Sequence, residues 1–155
     1  MLEQFNDLIS MLCANSSTIH EVRESRHFFS IDGIFFDSFW YSSDNYRFGT
    51  SERPSYIGAT LRTPSATVAK YELLRLLGDY YRWSRSWRAI ELPNNLDSIQ
   101  DNWAVTSGKL FGEQTLSMLS RTGLIFTSSD HQRSDKLANL MQHDFEDALQ
   151  LYLKE

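Results

Sequence analysis

The sequence predicts an α+β fold, a small antiparallel β-meander packed against several α-helices in a single domain over residues 1–155. Three observations carry this expectation. Apolar residues recur at helical spacing near the start, in the middle and at the end of the chain. Residues 28–61 are instead dense in Phe, Tyr, Trp and Ile, broken by turn-forming pairs, as strands are. A chain of 155 residues, 41% hydrophobic with seven Gly and three Pro, is long enough to bury a core without disulfides or metal.

A first helix is expected over Leu2 to Ala14, where Leu2, Phe5, Leu8, Ile9 and Leu12 form one stripe and Asn15-Ser16-Ser17 ends it. Ile19 to Arg26 reads as a short second helix or an irregular stretch. The strongest local signal follows. Phe28 to Ile31 and Ile34 to Asp37 flank Asp32-Gly33, a pair suited to a two-residue type I′ turn because both positions need positive φ. In that register Ile31 faces Ile34, Phe29 faces Phe36, and all four share one face. Phe39-Trp40-Tyr41 extends the second strand, Ser42 to Asn45 turns the chain, and Tyr46-Arg47-Phe48 forms a short strand ended by Gly49. Tyr56 to Leu61, after Pro54, is a further strand. The meander therefore holds three or four strands.

The centre of the chain is a long helix. Thr63 suits its N-cap and Pro64 its first position. Ala66, Ala69, Leu73, Leu76, Leu77, Tyr80, Trp83 and Trp87 make its apolar stripe, and it ends near Arg88. The last third reads as helical. Asn95 caps a helix with Leu96, Ile99 and Trp103; another runs from Glu113 to Thr122, with Gly123 suited to the left-handed residue beyond its end. Leu124 to Thr127 is a strand. Ser134 caps a final helix whose buried stripe is Leu137, Leu140, Met141, Phe145, Ala148 and Tyr152. No repeat, low-complexity run or linker divides the chain.

The net charge of −5 is uneven. Residues 1–60 hold eight acids and four bases, residues 61–90 two acids and six bases, and residues 91–155 ten acids and five bases. An acidic protein is repelled by a phosphate backbone but offers acidic faces to a basic protein. The single cysteine, Cys13, excludes an internal disulfide and falls on the apolar side of the first helix, as a small buried hydrophobe does. The N-terminus has no basic region before an apolar run, and no stretch is long enough to span a bilayer, so the expected compartment is the cytoplasm.

Chemistry is sparse. There is no glycine-rich phosphate loop, no GxGxxG and no nucleophile elbow. His20, His27, His131 and His143 lack the close spacing of a zinc site. No catalytic residue, metal or cofactor is expected. Arg75, Arg82, Arg85 and Arg88 interleave with Tyr80, Tyr81, Trp83 and Trp87, the combination of charge and rings used by single-strand nucleic-acid sites. Helical geometry turns the rings toward the leucines and Arg75, Arg82 and Arg85 away from them, while Glu72 and Asp79 can pair with the arginines, as on an ordinary solvated face. Asp32, Asp37 and Asp44 fall in or beside the sheet, Asp32 being explained by its turn. Asp97 and Asp101 lie four apart on one expected helix face, with Trp103 close by.

FFSIDGIFFDSFWY (Phe28 to Tyr41) and YELLRLLGDYYRWSRSW (Tyr71 to Trp87), in a small, acidic, aromatic-rich chain without a catalytic motif, give a picture that resembles the immunity proteins of bacterial polymorphic-toxin and contact-dependent inhibition systems. The resemblance implies tight, stoichiometric binding to a toxin domain, often a basic nuclease, over its active site or an adjacent surface. It carries no family residue onto a numbered position. Residue type and expected exposure nominate Asp37, Asp44, Asp97, Asp101 and Trp103 as partner contacts. The alternative is a nucleic-acid-binding or regulatory module using Arg82, Arg85 and Arg88, and an enzyme of unfamiliar type would need a deep polar pocket with shifted pKa values.

Overall fold

A computed structural model describes residues 1–52, 59–110 and 113–155. A 3-10 turn (Glu3–Phe5) leads into α1 (Asn6–Ala14). Five strands follow: β1 (Ile19–Arg23), β2 (Arg26–Ser30), β3 (Phe35–Ser42), β4 (Asn45–Glu52) and β5 (Ala59–Thr63). The long α2 (Ala66–Ser84) precedes a second 3-10 turn (Gln100–Asn102), then β6 (Trp103–Leu110), β7 (Glu113–Ser120) and β8 (Ile125–Ser128), and last α3 (His131–Leu140) and α4 (Phe145–Leu153). The strands form one antiparallel sheet in the order β1-β2-β3-β4-β5-β8-β7-β6. The fold is thus α+β as expected, with a sheet wider than the anticipated meander of three or four strands and one further strand.

Of the extra strands, β1 comes from a segment expected to be helical or irregular, and β7 from one expected to be helical. Ile19 to Arg26 is not a helix: β1 and β2 form a tight hairpin whose turn, Glu24-Ser25, has φ of 49° and 63°. Glu113 to Thr122 is β7, paired with β6 along its length. Leu116 and Met118 point into the core two residues apart, and Leu116 with Leu119 imitates helical spacing, so the short apolar pattern fits both periods. Gly123, with φ +88°, makes the β7–β8 turn instead of ending a helix. The segment from Asn95 to Trp103 holds one 3-10 turn, and Trp103 begins β6.

The β2–β3 hairpin shows how one residue reorders a sheet. Phe29 pairs with Asp37 and Phe28 with Ser38, one position away from the expected register. The loop is longer than two residues because Asp32 Oδ1 accepts from the amides of Ile34 (2.8 Å) and Phe35 (3.0 Å) and so holds an Asx turn, with Gly33 at φ +75°. The shift turns Phe36 onto the opposite face from Phe29, where it meets Phe28 edge to face. The two-residue turn with positive φ is instead Ser43-Asp44, between β3 and β4. β4 continues through Gly49 with a bulge at Phe48/Gly49, and the expected start of β5 at Tyr56 lies outside the described residues.

One face of the sheet carries the core. Phe29, Phe39, Phe48, Leu61, Met118 and Phe126 meet α1 through Phe5, Ile9 and Leu12, and α2 through Val68, Leu73 and Leu77. The cap of α2 is Ser65, whose Oγ accepts from Val68 N (3.2 Å), while Thr63 ends β5 and donates to Ile125 O (2.6 Å). The expected final helix is two. α3 is capped by Asp130 instead of Ser134, and the chain bends at residues 141–144 before α4. The expected core residues Leu137, Leu140, Ala148 and Tyr152 are buried all the same. α4 lies so close to α2 that a side chain at Gly78 would overlap the Tyr152 ring.

Candidate functional site

Because α2 is covered by the sheet on one side and by α4 on another, its polar residues are not all solvated. Glu72 has no exposed surface. Its carboxylate takes Arg75 through two bonds (2.9 and 2.7 Å) and Arg133 of α3 through Nε (2.8 Å) and Nη2 (2.7 Å). Arg133 also donates to Thr60 Oγ1 of β5, so one carboxylate links α2, α3 and the sheet. Burial alone would raise the pKa of Glu72, but the two guanidiniums hold it down at about 2. Burial pushes Asp79, one turn from Arg75, up to about 6 against the attraction of Arg75.

Asp37 of β3 lies beside this network on the core face. It accepts from the Tyr80 hydroxyl of α2. Burial raises its pKa, a shift opposed by the Tyr80 bond and by Arg133 and Arg75. The Tyr80 hydroxyl is itself raised by burial and by Asp37. α2 starts beside Thr63 and Tyr46, which pair near Tyr41, and reaches Asp37 at Tyr80, so it runs against β3. Phe35, the next residue of β3 on this face, and Trp83, one turn further along α2, therefore lie beyond the Asp37–Tyr80 bond at the same end. Both are open, with 62% and 60% of their surface exposed. Ile34 and Ile19 are also exposed, and Ile19 Cδ1 would lie 3.7 Å from a Cβ at Gly33 in the β2–β3 loop.

The structure redistributes the residues nominated from sequence. Asp37 is on the core face and largely enclosed, not on an acidic surface, because of the register shift. Asp44 is exposed but serves the β3–β4 turn. Trp103 is buried at 7% exposure against Phe126, so it is no surface anchor. Asp97 and Asp101 share no helix face, because only the 3-10 turn Gln100–Asn102 forms there, yet both are exposed. Asn139 Nδ2 donates to Asn95 O, and Asn102 Nδ2 to Gln142 Oε1, which brings their segment against the α3–α4 bend. There Asp144, Glu146 and Asp147 are exposed too, and none of these five carboxylates has an ion-pair partner among the described residues.

The basic stretch of α2 does not form a solvated face. Arg82 is buried and donates to the carbonyls of Leu151, Tyr152 and Lys154 at the end of α4 and to Arg88 O. Arg85 lies over the Tyr81 ring at 3.7 Å and donates to Asn15 O; Arg88 is exposed. The three-residue spacing of Glu72 and Arg75 signals that pair, but Arg133 lies too far along the chain to be joined to it from sequence. Also unforeseen is the His20–His27 pair across β1 and β2, stacked with ring nitrogens 2.9 Å apart and both pKa values lowered by burial. Cys13 is partly buried against the core, and burial raises its thiol to about 11. Among the described residues no group of three or more His, Cys, Asp or Glu is placed to hold a metal ion, and no helix is long and apolar enough to cross a membrane.

No family model matches the sequence, and no curated protein matches it. Among solved structures, Rv3902c from M. tuberculosis is similar with a TM-score of 0.76 at 17% identity, over 98% of this chain and 88% of that one. At that identity the likeness shows a shared fold that extends over nearly the whole chain.

Proposed function

We propose that this chain is an immunity protein, which binds a cognate bacterial toxin domain and neutralises it by occupying its surface. The observation that carries the reading is the exposure of four large apolar side chains, Ile19, Ile34 and Phe35 in or beside the β2–β3 loop and Trp83 near the end of α2. Single exposed apolar residues are ordinary, but large exposed rings such as Phe35 and Trp83 are what a protein partner buries, and buried aromatic anchors dominate binding energy. The five unpaired carboxylates around the α3–α4 bend add a field that speeds encounter with a basic toxin.

The test is capture of the partner from the native host with the tagged protein, followed by rescue of cells expressing the captured domain. A stoichiometric toxin domain and full rescue are expected. Phe35→Asp combined with Trp83→Asp is expected to abolish both while leaving the melting temperature within a few degrees, since both positions are exposed. Nucleic acid captured in place of protein, or capture and rescue unaffected by the double variant, overturns the proposal.

A further inference from the structure

We propose that β6 is an interface between two copies of this chain, which pair antiparallel, edge to edge, with a twofold axis at Thr106. β6 is the last strand of the sheet, and β7 and β8 separate it from β5. Its ladder with β7 runs from Trp103↔Ser120 to Leu110↔Glu113 without a bulge. The β7–β8 turn fixes the direction of the backbone groups. Ser120 N donates to Leu124 O, so Ser120, Met118 and Leu116 aim their amides and carbonyls at β8, and Leu119, Ser117 and Thr115 aim theirs at β6. Ala104, Thr106 and Gly108 therefore bond to β7, while Trp103, Val105, Ser107 and Lys109 present N–H and C=O groups to the outside of the sheet. Ala104 through Lys109 are all exposed, and α3 packs over β7 and β8.

The two edges of the sheet are unlike. β1 is short and carries His20, Glu21 and Arg23, ionisable groups that discourage strand addition. β6 is longer and regular, has no proline, and carries Lys109 as its one charge. With Thr106 on the axis, Val105 pairs with Ser107 of the second copy and Trp103 with Lys109, so every outward donor meets an outward acceptor. The side chains suit the same register: Thr106 faces Thr106, Ala104 faces Gly108, and no like charges are opposed. Val105, 45% exposed, shares with Ser107 the sheet face that carries the core, because the two pair with Met118 and Leu116. Beside Ser107, with Leu116 and His131, is a groove of about 270 Å³. Each copy thus places its valine against the groove of the other. That self-complementarity selects a second copy over an unrelated extended segment, and the pairing requires no toxin.

The experiment is sedimentation equilibrium of the intact protein from about 1 µM to about 1 mM, where a short edge contact associates. A monomer–dimer equilibrium is expected. Val105→Pro removes an N–H that faces outward and leaves the bonds between β6 and β7 in place. It should weaken dimerisation by about tenfold or more with an unchanged circular dichroism spectrum. Oxidation of cysteine variants in a Cys13→Ser background reads the register. Thr106→Cys should give a disulfide-linked dimer, because a non-hydrogen-bonded pair brings Cα atoms to about 4.5 Å. Ala104→Cys should cross-link with Gly108→Cys and not with itself. A monomer throughout the range, a folded Val105→Pro that dimerises as well as the parent, no Thr106→Cys dimer, or Ala104→Cys cross-linking with itself in preference to Gly108→Cys overturns the proposal.

Discussion

Two charged regions built from the same residue types behave differently in this protein. At the centre, Glu72 is fully buried and holds Arg75 and Arg133 in place. Near the α3–α4 bend, Asp97, Asp101, Asp144, Glu146 and Asp147 stand in solvent without partners. In the first region every charge is desolvated, so its pairing is obligatory and removing one member strands the others. In the second, water satisfies each carboxylate, so the group contributes to the long-range field more than to stability. Charge counted along a sequence does not separate the two; burial does.

The largest effect that tests this contrast is Arg133→Met. It leaves Glu72 with one guanidinium and releases α3 from Thr60, and should lower unfolding free energy by about 3–5 kcal/mol in urea titrations. A loss under about 1 kcal/mol would mean that the central network is no more structural than the surface acids.

Asp79 sharpens the contrast in the opposite direction. Its folded pKa of about 6 lies above the ordinary 3.8, so the fold favours the protonated form. Its stabilising contribution is complete below the ordinary value, declines as pH rises through the window up to about 6, and is gone above it. Asp79→Asn should therefore stabilise the protein by about 2 kcal/mol at pH 7.5 and by much less at pH 4. Glu72 acts with the other sign. Its carboxylate, held at about 2 against an ordinary 4.5, contributes stability above 4.5 that is lost as pH falls toward 2. Unfolding midpoints measured from pH 3 to 8 should show both limbs, and the upper one should flatten in Asp79→Asn.

The smallest effect belongs to the exposed acids. Asp101→Asn with Asp147→Asn should change stability by less than about 0.5 kcal/mol. It should slow association with a basic partner, and the difference from the parent should vanish in high salt. A large stability change would show that these carboxylates have structural partners after all.

The parts of the fold that were legible in the sequence are those with long, single-period patterns. α1, α2 and the stripe through α3 and α4 carry enough turns for helical spacing to be distinctive. β7 and the segment before β6 are short, and their apolar residues fit periods of two and three alike. The β2–β3 hairpin departs from expectation for a different reason: the Asp-Gly pair suits a two-residue turn, whereas the Asp32 side chain holds a longer loop. That single shift also decided the site, because it moved Asp37 inward to Tyr80. Arg82 was misplaced because a helix covered on several sides has no outward face to which its arginines can be assigned.

The strand order has a consequence for how the chain finds its fold. Every neighbouring pair in the sheet is also adjacent in sequence except β5 and β8, whose ladder consists of Leu61↔Ser128 and Arg62↔Thr127. The sheet is thus two sequential meanders stitched along one short seam, with α2 in the connection between them. Each meander can zip from its own hairpins, and one long-range docking event then closes the seam. Because closure entropy grows only logarithmically with the length of the connection, closing that one seam across a long connection costs little more than closing it across a shorter one would.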